Sequence, residues 1–261
     1  MVAECIMAAM NNKNTLNNER FSIPIVLGHD AQGKEMIVDL KRLPHLLIGG
    51  VSGSGKTVFL NTLLASMIAS HSPNNLRILL YNPTKEESFF LRDVAHLIKS
   101  IDISHADMVV LLQHLDWMQE RRLKRFVRAG CSNIDNFNNR FSRSEERLTR
   151  SDGENEIPHI VVVIDEFADL ESESWDEVMR PIERIVAFGR AVGIHLVIAT
   201  NRLYSKLFSL SSLFNRMVFR CATRDQSINV IGQEGAENLQ RPGDFMFGIV
   251  NSAGLRRGSV S

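Results

Sequence analysis

The sequence predicts an α/β fold with a mostly parallel central sheet and helices on both faces. Residues 160–164 and 194–200 are rich in Val, Ile and Leu, which is typical of parallel strands that are buried on both faces. Helical patterns separate the strand-like runs, and this alternation indicates βαβ units. In addition, a glycine-rich segment at residues 50–57 follows one strand-like run and precedes a helix-like one. Together these observations favour an open α/β sheet.

The bulk properties exclude some classes of protein. The 261 residues, 44% of them hydrophobic and 23% charged, can bury the core of one large domain or two small ones. The formal net charge is zero, so any contact with nucleic acid must use a local basic patch. No apolar run approaches the roughly 18 residues that a membrane span requires. The three cysteines are far apart without a C-x-x-C pair, which predicts reduced thiols in a cytoplasmic protein.

The elements can be predicted in order along the chain. Residues 1–20 read as an N-terminal extension or linker, and residues 21–261 as the folded domain. Gln32-Gly33 lies between two β-prone runs and predicts a hairpin turn. Residues 104–129 predict a long helix, because apolar residues recur at helical spacing and Ser104 with Asp107 resembles a capping box. A second helix is predicted at residues 177–192, and the predicted strands are residues 46–48, 77–81, 160–164, 194–200, 217–220 and 245–247.

The glycine-rich segment matches the phosphate-binding pattern, which is a glycine, four variable residues and then Gly-Lys-Ser/Thr. In such a loop the backbone N–H groups surround the phosphates, and the helix N-terminus adds positive potential. Lys56 can reach the β- and γ-phosphates, and the Thr57 hydroxyl can bind Mg²⁺. The predicted nucleotide-binding residues are Gly50, Val51, Ser52, Gly53, Ser54, Gly55, Lys56, Thr57 and Val58.

Two acidic residues follow the apolar run at residues 160–164. Asp165 falls where ligands bind in open α/β sheets, and we expect it to support Mg²⁺ through water. Glu166 suits a general base that activates the attacking water, which favours hydrolysis of ATP over a binding switch. Asn201 follows the next predicted strand, where its side chain could sense the γ-phosphate or the water; the alternative is an ordinary turn residue. The predicted cofactors are ATP and Mg²⁺.

Phosphoryl transfer also needs positive charge on the transferring group, and a neighbouring subunit can supply it. Arg190 is the first candidate for such an arginine and Arg216 the second, although spacing alone favours an ordinary surface or salt-bridged arginine for each. Basic residues also cluster between Arg121 and Arg128. They could contact nucleic-acid phosphates or an acidic partner, or they could form a solvated charged face.

An ordered series of segments resembles the motor domain of the FtsK/SpoIIIE family of DNA translocases, which are HerA/FtsK-type P-loop ATPases. The series covers roughly residues 20–258 and comprises residues 28–30, 43–57, 190–202, 215–220 and 243–246. The resemblance implies a RecA-like ATPase core that assembles as a homo-hexameric ring and moves double-stranded DNA through its centre. By position, Arg190 matches the arginine that acts in trans in related ring motors.

The sequence departs from the family pattern in two turns. Asn82-Pro83-Thr84 stands where the family typically has Asp-Pro-Lys, and Asn201 stands where it usually has glutamine. No membrane region or winged-helix domain is recognisable, so we expect an excised motor domain or a small free-standing relative from a mobile element or defence system. A further protein partner is left open.

Two other functions compete with DNA translocation. The same fold could serve a secretion or conjugative transfer system that moves polypeptide or a nucleoprotein. A non-hydrolysing scaffold is the third reading, and the intact set of Lys56, Thr57, Asp165 and Glu166 argues against it.

Overall fold

The computed structural model describes residues 22–43, 45–82, 94–98, 104–143, 156–167, 175–202, 206–250 and 254–260. Within these ranges the strands join into one nine-stranded sheet. The strands are β1 (Pro24–His29), β2 (Glu35–Asp39), β3 (His45–Gly49), β4 (Leu76–Tyr81), β5 (His159–Ile164), β6 (Ile194–Thr200), β7 (Asn215–Phe219), β8 (Asp244–Gly248) and β9 (Leu255–Ser259). The α-helices are α1 (Lys56–Ser70), α2 (His105–Arg128), α3 (Ile134–Arg143), α4 (Trp175–Val192) and α5 (Arg224–Ile231), and short 3-10 helices span Lys206–Leu213 and Ala236–Asn238.

One half of the sheet is parallel, in the order β7-β3-β6-β5-β4. These are the strands whose apolar residues are buried on both faces, as the sequence pattern predicts. Helices connect several of them and place the carboxyl ends of all five strands at the same edge of the sheet. We call this the carboxyl edge and the opposite one the amino edge.

The other half of the sheet is antiparallel, so the sheet is mixed. The predicted α/β fold is confirmed, with the parallel pairing confined to the five strands named above. Strand β7 pairs with β8, β8 with β9, β9 with β1 and β1 with β2, all in antiparallel fashion. Short connections link β1 to β2 and β8 to β9, and such connections permit only antiparallel pairing. The predicted turn at Gln32-Gly33 is confirmed, since the N–H of Gly33 donates to the carbonyl of Asp30 over 2.9 Å.

Helices cover both faces of the parallel half, as predicted. On one face α2, α3 and α4 pack over residues that include Leu47, Val162 and Leu196. On the other face α1 packs over residues that include Ile48 and Val163. Helix α5 lies over the end of β7 and β8, with Val230 and Ile231 buried. The two cores fix the strand ends that carry the candidate site.

Helix α2 confirms the capping box that the sequence predicts. The Ser104 side chain accepts from the N–H of Asp107, and the Asp107 carboxylate accepts from the N–H of Ser104. Helix α3 and strand β9 were not predicted.

The predicted extension at residues 1–20 lies outside the described residues. Within the described ranges, no helix combines the length and the apolar character needed to cross a membrane.

Candidate active site

The predicted site residues meet at the carboxyl edge because the strands are in register there. Gly49 of β3 pairs with Thr200 of β6, and Ile164 of β5 pairs with Ile198 of β6. The loop after β3, the acidic pair after β5 and Asn201 after β6 therefore leave the sheet side by side. The sequence predicted these three segments separately, and the parallel sheet brings them together.

The loop after β3 takes a conformation that requires glycine at position 55. Gly55 has φ 109, and a Cβ on it would lie 2.7 Å from the backbone nitrogen of Gly243. Of the other predicted loop residues, Ser52 and Gly53 lie exposed at the tip, Gly50 and Ser54 are buried, and Val51, Thr57 and Val58 are intermediate. All nine predicted residues thus lie in the loop or in the first turn of α1.

Lys56 is the first residue of α1 and is 92% buried in the loop, with 8% of its surface exposed. Its Nζ donates to the carbonyls of Gly50, over 2.8 Å, and of Val51, over 3.1 Å. Burial lowers the pKa of Lys56, and the nearby carboxylates of Glu166 and Asp165 act in the opposite direction. The Lys56 ammonium group therefore lies between the loop and the acidic pair, where it could bind a phosphate group.

The start of α1 fits a phosphate group. Gly55 caps the helix without a side-chain hydrogen bond, and the first turn holds no acidic residue, so its N–H groups and partial positive charge are available to an anion. The Oγ of Ser54 is buried and has no hydrogen-bond partner among the described residues. A buried hydroxyl without a partner is costly, and a phosphate oxygen at the loop would satisfy it.

Asp165 follows β5 and supplies the carboxylate of a possible Mg²⁺ site. Its N–H donates to the carbonyl of Tyr81 over 2.8 Å, which ties the end of β5 to β4. The Nδ2 of Asn82 donates to its Oδ2 over 3.3 Å, and Asn82 is buried. Asp165 and the hydroxyl of Thr57 are hard oxygen donors of the kind that Mg²⁺ prefers. The residues present thus fit the predicted metal.

Glu166 has a strained backbone. With φ 66 it is the one non-glycine residue with positive φ in the described part of the chain, a conformation that costs about 1–2 kcal/mol. Its Oε1 accepts from the hydroxyl of Thr200 and from the N–H of Asn201, each over 3.2 Å. Such strain persists only when the surroundings impose it, and it is concentrated at functional sites.

Asn201 contacts the site through its backbone. The sequence suggested that its side chain senses the γ-phosphate, and the structure adds a contact of its N–H with Glu166. The residue itself is exposed at the carboxyl edge. Its side-chain role therefore stays a prediction.

Comparisons with known proteins identify the family of the chain. A family model described as "FtsK/SpoIIIE family" matches residues 7–205. The chain belongs to the FtsK/SpoIIIE family. The DNA translocase FtsK of Treponema pallidum (strain Nichols) is 32% identical over 236 residues, which cover 89% of this chain and 29% of the relative. The chain therefore spans less than a third of the length of this relative.

Two solved structures share the fold of this FtsK/SpoIIIE-family chain. The cytoplasmic domain of the Type VII secretion ATPase EccC from Thermomonospora curvata superposes with a TM-score of 0.78 at 24% identity, covering 92% of this chain and 28% of that one. The pCW3 conjugation coupling protein TcpA, in its monomer form with ATPγS, gives 0.74 at 23% identity, covering 95% of this chain and 69% of that one. At these identities the likeness establishes the P-loop ATPase fold alone.

The two candidate trans arginines of this family member lie away from its own phosphate loop. Arg190 is exposed in the last turn of α4, just before β6 begins, and so lies at the amino edge. Arg216 is the second residue of β7, and its Nη1 would lie 3.4 Å from a Cβ on Gly232 at the end of α5. Burial lowers the pKa of Arg216. Arg216 pairs with Leu47 in the middle of the sheet, so neither arginine lies at the carboxyl edge where the loop begins.

The basic stretch of α2 is partly structural. Arg122 is buried and donates from Nη1 to the carbonyl of Val192 over 2.7 Å, at the end of α4. Lys124 pairs with Glu120 over 2.7 Å. The guanidinium of Arg125 lies 4.8 Å from the ring centre of Phe137. These contacts remove Arg122 from any nucleic-acid interface and leave Arg121, Lys124 and Arg128 exposed.

Thr200 and Gly243 contact site residues, and sequence reasoning gave neither of them a role. In the sequence, the only sign of a role for Thr200 is a hydroxyl at the end of a buried apolar strand. This sign is weak, because the contact with Glu166 depends on which strand lies next to β6. Gly243 is distant in sequence, and its contact with the loop depends on the position of β8.

Proposed function

We propose that this chain is an ATP-hydrolysing motor module that translocates double-stranded DNA, acting in a homo-hexameric ring whose ATP sites lie between subunits. The observation that carries the proposal is the meeting of Lys56, Asp165 and Glu166 at the carboxyl edge, in a chain of the FtsK/SpoIIIE family. These residues supply the phosphate-binding cation, the metal-supporting carboxylate and the base that ATP hydrolysis requires.

The loop and α1 would bind the phosphates. The N–H groups at the start of α1 donate to phosphate oxygens, and Lys56 exchanges a carbonyl contact for the β- and γ-phosphates. Thr57 and Asp165 would hold Mg²⁺, which neutralises the charge that develops on the phosphates. Positioning and charge stabilisation supply most of the catalysis in reactions of this type.

Glu166 would activate the water. One carboxylate oxygen accepts a hydrogen bond from the attacking water and takes its proton as the oxygen bonds to the γ-phosphorus, and ADP leaves from the opposite side. The charge on the γ-phosphoryl group would be stabilised from a neighbouring subunit by Arg190, with Arg216 as second candidate. Their distance from their own loop supports a role in trans.

Double-stranded DNA is the cargo that the family membership supports, since the relative described above is named a DNA translocase. Polypeptide or a nucleoprotein is the alternative cargo. The likeness to a secretion ATPase and to a conjugation coupling protein bears on the fold alone, so it does not favour that alternative.

The test is steady-state ATP turnover with and without long double-stranded DNA at low salt. We expect DNA to stimulate turnover severalfold, and no stimulation across a range of low salt concentrations contradicts the DNA proposal. Lys56→Ala should abolish ATP binding, whereas Lys34→Ala, at an exposed lysine of the β1–β2 turn, should behave as wild type.

The same assay tests Glu166 as the base. Glu166→Gln should bind ATP normally and lower turnover by about 10²–10⁴-fold, the range for loss of a general base. Normal turnover in this variant removes Glu166 from that role.

A further inference from the structure

Thr200 and Glu166 are neighbours because β5 and β6 are in register. Ile164, the last residue of β5, pairs with Ile198, and this brings Glu166, two residues after β5, beside Thr200 at the end of β6. The Thr200 hydroxyl oxygen is 3.2 Å from Oε1 of Glu166, and the Asn201 nitrogen is 3.2 Å from the same atom. Two donors from the end of β6 therefore converge on one carboxylate oxygen.

The direction of the Thr200 hydroxyl proton is fixed by a second contact. The N–H of Arg202 donates to the Thr200 hydroxyl oxygen over 3.1 Å and occupies one of its lone pairs. A hydroxyl has a single proton, and the carboxylate accepts but does not donate. The Thr200 hydroxyl thus donates to Glu166 while accepting from Arg202. Because Thr200 is completely buried, water does not compete for this proton.

The two oxygens of Glu166 have different surroundings. Oε1 accepts both hydrogen bonds, and Oε2 contacts no hydrogen-bond donor among the described residues. With one oxygen anchored, the carboxylate cannot rotate freely about its terminal bond. The unusual backbone of Glu166, at φ 66, is compatible with this anchored arrangement.

We propose that Thr200 is a positioning residue for the general base. Its hydroxyl, with the N–H of Asn201, anchors Oε1 of Glu166 so that Oε2 is presented to the attacking water. This inference rests on the proposed function of Glu166 as the base. In this proposal the Thr200 hydroxyl and the Asn201 N–H hold Glu166 in place, and the Asn201 side chain takes no part.

The experiment compares kcat, KM for ATP and ATPγS affinity in the full chain with long double-stranded DNA. Thr200→Val removes the hydroxyl and keeps the shape of the side chain. We expect kcat to fall about ten- to a hundredfold, as for loss of a hydrogen bond to a charged group, with KM and ATPγS affinity within about twofold of wild type. Thr200→Ser keeps the hydroxyl and should recover kcat to within about threefold.

Two further variants separate positioning from a merely structural role. Thr62→Val is the matched control, because the Thr62 hydroxyl makes an ordinary contact with the carbonyl of Val58 over 3.0 Å inside α1, and kcat should be unchanged. In a Glu166→Gln background, Thr200→Val should cause no further loss, because the two residues act as one unit. If Thr200→Val does not fold, Thr200→Ala removes the same hydroxyl and carries the same expectation.

The outcomes distinguish this inference from the proposed function. Full kcat in Thr200→Val, together with a large loss in Glu166→Gln, overturns the inference and leaves Glu166 as the base. An undiminished further loss in the double variant also overturns it. Full turnover in Glu166→Gln overturns both, since there is then no base for Thr200 to position.

Discussion

The N–H of Gly243 donates to the carbonyl of Ser54 over 2.9 Å, and this bond ties the turn before β8 to the phosphate loop. A second contact, from the N–H of Val51 to the carbonyl of Arg220 over 3.0 Å, holds the other side of the loop against the end of β7. The loop is therefore supported by the end of β7 and, through Gly243, by the antiparallel half of the sheet.

Gly243→Ala should loosen the phosphate loop. Gly243 has φ 97, and a Cβ there would lie 2.7 Å from the carbonyl oxygen of Val260, so the turn must shift and its bond to Ser54 must lengthen. We expect a lower melting temperature and ATPγS binding weakened at least about tenfold, measured by thermal unfolding and by titration.

Gly33→Ala is the matched control for that substitution. Gly33 also has positive φ, at 77, but nothing lies within 4 Å of a Cβ there, so the change should cost only the roughly 1–2 kcal/mol of the backbone conformation. ATPγS affinity should stay at the wild-type value. Equal nucleotide affinity in the two variants would show that the Gly243 contact does not support the loop.

Asn82 should set the magnesium requirement of the site. Its amide donates to Asp165 over 3.3 Å, and a carboxylate at this buried position would place a second negative charge beside Asp165. Asn82→Asp should therefore lower the Mg²⁺ concentration for half-maximal ATP turnover by about threefold or more, because the added charge attracts the cation. Asn82→Ala should raise it, since Asp165 then lacks this donor.

Thermal unfolding gives an independent check on Asn82. Without Mg²⁺, Asn82→Asp should melt at a lower temperature than wild type because the two carboxylates repel each other, and added Mg²⁺ with nucleotide should restore much of the loss. If wild type and both variants need the same Mg²⁺ concentration for half-maximal turnover, Asn82 does not influence Mg²⁺ binding.

The sequence predicted which segments meet at the carboxyl edge because the signals for them are local. The phosphate loop has fixed spacing, and Asp165-Glu166 directly follows a strand whose pattern identifies it as buried. The parallel order of the sheet then brings them together without any further information.

The remaining features depend on contacts between distant segments. Phe245 to Phe247 have the same apolar pattern in either strand direction, so the antiparallel pairing of β8 could not be read from them. Arg122 lies in a run of basic residues and is buried only because α4 ends beside it. Thr200 acquires its contact from the register of β5 and β6.

Asp135 should make the stability depend on pH. Its Oδ1 lies 3.8 Å from Nε2 of His159 and 2.5 Å from Nζ of Lys41, and these contacts lower the pKa of Asp135 from 3.8 to about 2. A lowered carboxyl pKa contributes stability that is present above pH 3.8 and is lost as the pH falls through about 2. Burial lowers the pKa of His159, so its neutral form is favoured near neutral pH.

Asp135→Asn tests this contribution by urea unfolding between pH 7 and pH 3. At pH 7 the variant should lose about 1–2 kcal/mol, after allowance for the partial exposure of the ion pair. The difference from wild type should shrink below about pH 4. If the difference in free energy of unfolding between wild type and Asp135→Asn stays constant down to pH 3, the contribution of Asp135 to stability is not ionic. Asp225→Asn, at an exposed aspartate of α5, should change the free energy of unfolding by less than about 1 kcal/mol.

Arg190 should act at the ATP site of a neighbouring subunit. It lies at the amino edge and its own phosphate loop at the carboxyl edge, so it can serve catalysis only across a subunit interface. Arg190→Ala should therefore lower DNA-stimulated turnover by about 10³-fold or more, whereas Arg180→Ala, at an exposed arginine of the same helix, should not.

Mixing two inactive variants gives the decisive measurement of that role. An Arg190→Ala subunit keeps its own loop, and a Lys56→Ala subunit keeps its arginine, so one of their two shared interfaces holds a complete site. We expect the mixture to regain ATP turnover well above either variant alone. A mixture of Lys56→Ala and Glu166→Gln should regain none, because both defects lie in a subunit's own site and no interface is complete. If the first mixture stays as inactive as the second while subunits exchange, Arg190 does not act in trans.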